Sequence, residues 1–184
     1  MLDPSDGAEE RLIDALRERA LERPSHSEPG YAFQQVLCTV ATTQELLAAE
    51  GELGFALTGL LRKLYLRLGN GGFGPAHGLM GIAAGFRDDL GRDVVALYQR
   101  YRQSDPNDPR WRWPERLLPI LHLGCAMYAC VDCSSETGRV ILFDPSGHGE
   151  DGGWEDAFLP LAPSLSAWLR DWLSGADPLG GARP

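Results

Sequence analysis

Apolar residues along this chain recur at helical spacing in five stretches and form short extended runs between the last two. In residues 8–22, Leu12, Ile13, Leu16 and Ala20 share one face and Glu and Arg fill the other, with Ser5 or Asp6 available as cap. Thr42 and Glu45 form a capping-box pair, so a second helix should run to about Leu53 and stop at Gly54. A third, capped by Thr58 and ending at Gly69, puts Leu60, Leu61, Leu64, Tyr65 and Leu68 on one side. Val94, Leu97, Tyr98 and Tyr101 mark a fourth over 93–103. Leu165, Trp168, Leu169 and Trp172 mark a fifth, opened by Ser164.

The extended runs read as strands at 117–123, 126–132 and 139–143, the last two joined by a turn over Ser134–Gly138. Leu79, Met80 and Ile82 suggest another short strand, and Tyr31–Ala41 reads as extended. Pro24–Gly30, the Trp-bearing Ser104–Pro114 and Asp144–Asp156 read as loops. The pattern predicts an α+β domain: a mixed or antiparallel sheet of about four to six strands flanked by helices. Residues 1–41 should form an N-terminal helix and extended segment packed on a domain of residues 42–174, followed by a disordered tail at 175–184.

Between the third helix and the next apolar run lies Gly69-Asn70-Gly71-Gly72-Phe73-Gly74-Pro75. Gly69, and after it Asn70, suit a left-handed helix end, and the further glycines imply a turn that side chains would obstruct. The stretch also spells G-x-G-x-x-G. A dinucleotide loop, however, follows a strand and opens a helix, whereas this one follows a helix.

Length and composition fit one soluble domain with a full core. The formal net charge of −9 argues against nucleic acid as the main partner and is compatible with a basic protein. A single Lys against sixteen Arg, with much Ala, Gly and Leu, resembles G+C-rich bacterial coding. No apolar run is long enough to span a bilayer, and Met1–Leu12 lacks the features of a signal peptide. The expected compartment is therefore the cytoplasm, with the four cysteines reduced.

His122, Cys125, Cys130 and Cys133 are the one set that could hold zinc or an iron–sulfur cluster, or use Cys130 and Cys133 as a redox pair. An extended strand opposes this. Cys130 and Cys133 would face opposite sides, and Cys125 and Cys133 would lie roughly 26 Å apart at about 3.3 Å per residue. Asp144–Asp156 carries five carboxylates, Asp144, Glu150, Asp151, Glu155 and Asp156, and no Lys or Arg. Its match to a calcium-loop template is poor, since His148 takes a ligand position and no helices flank it. No nucleophile elbow or paired acid–base motif occurs, so neither catalysis nor a cofactor is expected.

The helix ending in LYLRLGNGGFGP, followed by GLMG, resembles the Smi–Knr type of the SUKH superfamily. The likeness extends through LPILHLGCAMYACVDCSSETGRVILFDPSG to the closing SLSAWLRDWLSG, about Thr42–Gly175, and leaves the first 41 residues uncovered. Thr58 stands where the family's usual proline is expected. The resemblance implies a loop leading into the first strand of a mixed sheet and a non-enzymatic protein-binding role. Bacterial members are commonly immunity proteins that bind a toxin domain, and fungal relatives are regulatory scaffolds. Together with the charge pattern, this nominates a protein-facing surface of Asn70, Phe73, Trp111, Asp144, Glu150, Asp151, Trp154 and Glu155, with a basic toxin domain as partner. The rival readings are a metal-binding or redox protein using the Cys/His set, or a regulatory scaffold protein.

Overall fold

The computed structural model describes residues 4–22, 36–148, 153–177 and 179, with residues 4–6 in backbone only. Its helices are α1 (Pro4–Leu21), α2 (Thr43–Leu53), α3 (Gly59–Arg67), α4 (Val94–Arg102) and α5 (Leu165–Leu173). Its strands are β1 (Leu117–Gly124), β2 (Met127–Asp132), β3 (Val140–Phe143) and β4 (Phe158–Ala162). They form a four-stranded sheet in the order β1-β2-β3-β4, antiparallel throughout. The molecule is an α+β domain.

Local signals explain most of the boundaries. Thr42 accepts from the Glu45 amide while Glu45 reaches back to the Thr42 amide, and Gly54, at φ 78°, closes α2. Asp93 accepts from the amides of Val95 and Ala96 to open α4, and Ser164 accepts from Ala167 to open α5. The first helix begins at Pro4, so Ser5 and Asp6 lie inside its first turn instead of capping it. Thr58 occupies the N-cap of α3 but makes no side-chain cap bond.

Both sides of the sheet centre are covered. Tyr128 pairs with Phe143 and Cys130 with Ile141, on the side where Tyr101 of α4 meets the Tyr128 and Phe143 rings. The alternate residues Ala129, Val131, Val140 and Leu142 are buried on the opposite side. There α1, α3 and α5 pack on one another, and α5 also contacts β4. Leu165 and Leu169 are fully buried and Trp168 nearly so, each worth on the order of 1.5–3 kcal/mol. Trp172 is only half-buried, beneath the Arg19 guanidinium of α1. Leu12, Ile13 and Leu16 join the same core, and ion pairs from Lys63 to Glu9 and from Arg67 to Glu10 tie α1 to α3.

Three local expectations are corrected. Gly69 is not left-handed; the turn's positive φ values belong to Gly71 (85°), Gly72 (81°) and Gly74 (103°). A side chain at Gly69 would instead collide with Leu37, and one at Gly72 with the Val36 carbonyl, because residues 36–41 lie across this turn. Residues 79–82 form no strand: Met80 donates one bond to Ile120, and the buried Tyr65 hydroxyl holds the Met80 carbonyl. Beyond the acidic loop, the unexpected β4 completes the sheet. The loop Pro24–Gly30 lies outside the described residues, as do 31–35 of the extended segment and 178 and 180–184 of the tail.

Candidate functional site

The aromatic residues of the 104–114 loop do not stand free. Trp113 is buried and stacks on Tyr101 at 4.4 Å, donating its indole N–H to the Leu117 carbonyl at 2.7 Å. Trp111, half-buried, donates to the Tyr101 carbonyl at 2.8 Å. Trp154 arrives from the acidic loop and meets Trp111 edge-on, with centroids 4.5 Å apart at 90°. Such contacts contribute about 0.5–1.5 kcal/mol each beyond area burial.

A polar clasp fixes this corner. Asp108 accepts from the Trp154 indole N–H at 2.8 Å and from the Arg110 amide at 2.9 Å. The Trp154 bond, then the Arg110 amide, holds the Asp108 carboxyl below its ordinary range. His148 stacks on Trp154 at 4.2 Å, with its Nε2 3.7 Å from the same carboxylate. Two loops, one bent by prolines and the other rich in glycine, are thereby joined side chain to side chain. Beside the clasp, Glu155 and Asp156 are exposed and pair with no Lys or Arg among the described residues.

The nominated surface residues therefore separate. Trp111, Trp154 and Glu155 come together at this corner. Glu150 and Asp151 lie outside the described residues. Three others do not present a surface. Asp144 is 9% exposed, its carboxylate accepting from the Ser146 amide and hydroxyl to make the turn after β3. Asn70 is 4% exposed and brackets Ile82, donating to its carbonyl and accepting from its amide, both at 2.8 Å. Phe73 is 1% exposed in the core. The sequence reading put Asn70 and Phe73 on the protein-facing surface, but the glycines fold the turn inward and the 36–41 segment lies against it.

The turn also offers no phosphate cradle. Its amides serve the chain itself: Asn70 donates to Thr39, Gly72 to Leu79, and Gly69 to Leu64. Among the described residues, no three His, Cys, Asp or Glu side chains are placed to hold a metal ion; the His122, Cys125, Cys130 and Cys133 set is no exception. Cys130 is buried within β2 and Cys125 is exposed in the β1–β2 turn. Burial raises the Cys130 thiol well above its ordinary value and pushes Cys133 up to about 12, so both stay protonated at neutral pH. His122 faces His77 with ring centroids 5.8 Å apart, and burial, then His77, lowers its pKa.

Sequence reasoning missed Asp108, His148 and Asp156 as parts of this corner. The repeated Asp-Pro steps of 104–114 signalled a turn, but nothing local announces a partner 46 residues away.

The chain belongs to the SMI1 / KNR4 family (SUKH-1), whose family model matches residues 40–171. No curated protein matches it. Among the described residues, no helix is long and apolar enough to cross a membrane.

Proposed function

We propose that this chain is a non-enzymatic protein-binding domain of the immunity type, which neutralises a partner toxin by direct binding. The family membership over residues 40–171 carries the reading. The physical character of the corner supports it. Exposed, uncompensated Glu155 and Asp156 sit beside the half-exposed rings of Trp111 and Trp154, and the clasp pre-orders the loops that bear them. Carboxylate rims mainly speed encounter with a basic surface, while ordered aromatic anchors slow dissociation.

In this proposal Trp111, Trp154 and Glu155 touch the partner, together with Asp156 and with Glu150 and Asp151 of the adjoining segment. Asp144 acts behind the surface by fixing the turn after β3, and Asn70 and Phe73, buried elsewhere in the core, take no part in it. The net charge of −9 suits a basic toxin domain. The test is co-expression with the product of the neighbouring gene in a host that this product kills. Restored growth with a recoverable complex supports the proposal. A non-toxic neighbour product that leaves the chain unbound, or unrelieved killing with both proteins present and folded, overturns it.

A further inference from the structure

A second surface carries the opposite charge. A recess of about 550 Å³ opens between the C-terminal ends of α2 and α4 and the residues that lead into β1. Phe55 and Tyr98 meet edge-on there at 5.3 Å. Gln99 and Arg102 of α4 line it, facing Glu115 and Arg116.

Arg116 is the unusual member. Its φ of 57° is a conformation that disfavours any residue with a Cβ. Its backbone is held there from both ends: its amide donates to the Tyr98 hydroxyl at 3.3 Å, and its carbonyl accepts from the Cys133 amide at 2.8 Å. Glycine would meet the same backbone demand without strain, yet the position carries a long cationic side chain. Arg116 is exposed at the recess, and its guanidinium makes no hydrogen bond or ion pair among the described residues. Arg102 is anchored to the Trp113 carbonyl at 2.7 Å, and its other nitrogen reaches Glu115 at 3.3 Å. The Glu115 side chain is 81% exposed, so it is a counter-ion that an incoming carboxylate can replace at little cost.

We propose that this recess docks an acidic peptide segment. A carboxylate bridges Arg102 and Arg116, a neighbouring apolar side chain rests on Phe55, and the Gln99 amide meets the peptide backbone. Guanidinium forks match carboxylates in two-bond geometry, and an open recess beside an aromatic pair suits a peptide better than an isolated ion. This site is separate from the acidic corner and does not rest on the immunity reading.

The test is a nitrogen-15 NMR titration of the full chain with a short blocked peptide of alternating glutamate and phenylalanine. Inorganic phosphate serves as a second probe. Saturable shifts at Phe55, Gln99, Arg102 and Arg116 are expected, stronger with peptide than with phosphate. Arg116→Gln and Arg116→Gly should each weaken peptide binding at least ~10-fold. Arg116→Gly should do so with its thermal midpoint unchanged or raised, because it relieves the positive φ; a structural role for the side chain would lower it. No saturable shift in the wild type, equal binding by both variants, or phosphate binding as tightly as peptide would each overturn the proposal.

Discussion

Replacing Thr58 by valine should stabilise this protein, although threonine at a helix N-cap is ordinarily worth keeping. Loss of a working N-cap oxygen costs about 0.5–2 kcal/mol. Here the side chain makes no cap bond, and Oγ1 is buried without a hydrogen-bond partner among the described residues. The residue is 7% exposed and packs close to Gly138. An unsatisfied buried hydroxyl costs roughly 1–3 kcal/mol, and a buried methyl in its place gains about 0.8 kcal/mol. Valine has the same shape and tolerates φ −62°, ψ 151°, and the first helical bond, Arg62 N–H to the Thr58 carbonyl, is untouched. Allowing for a partly compact unfolded chain, the net gain should be about 1–2 kcal/mol. At this chain length that is a rise of about 2–8 °C in Tm. Urea titrations of both proteins, followed by circular dichroism, give the difference directly. Thr58→Ala should gain less than Thr58→Val, because it removes the buried methyl along with the unsatisfied hydroxyl. If Thr58→Val is destabilised, the hydroxyl is a working cap and the assignment of a buried orphan is wrong.

Gly71→Val and Gly74→Val should each cost more than ~2 kcal/mol, since both positions combine positive φ with a blocked Cβ direction; unchanged thermal midpoints would refute this. The Asp108 carboxyl titrates below its ordinary 3.8 when folded, so the clasp's contribution is present above that value and lost as pH falls through the lower folded pKa. The Trp154 indole N–H resonance should therefore hold constant down to that range; a transition near neutral pH would assign control of the contact to His148. Neutralising Glu155 and Asp156 together should lower the association rate with a verified partner, an effect that added salt erases. Rates equal to wild type at low salt would place the interface elsewhere.

The sequence was most informative where a boundary depends on neighbouring residues. Thr42, Glu45 and Gly54 specify α2 within one stretch of chain, and the spacing of Leu165, Trp168 and Leu169 specifies α5. It was least informative where a residue answers to something distant. Gly69 looks like a helix terminator, but its missing side chain makes room for Leu37, which belongs to the segment that precedes α2. Pro160 and Pro163 hide β4, because proline weakens a strand signal; as an edge strand, β4 tolerates Pro160 where a central strand would not. At the candidate site, an acidic, tryptophan-bearing loop was legible, and so was Trp111 as its companion. That Asn70 and Phe73 turn inward was not, since burial depends on the 36–41 segment crossing above them. Asp108 joining Trp154 was equally hidden, because it is a contact between two irregular segments.

Direct binding and enzymatic inactivation differ most plainly in stoichiometry. The decisive measurement is made on the proposed toxin partner, sought in the neighbouring gene's product: its residual activity, titrated with increasing amounts of this chain. A binding domain predicts a linear loss that ends near equimolar addition, with activity recovered when the complex is dissociated. Complete loss at a small fraction of an equivalent, progressing with time and not recovered on separation, would contradict the account and make the chain an enzyme.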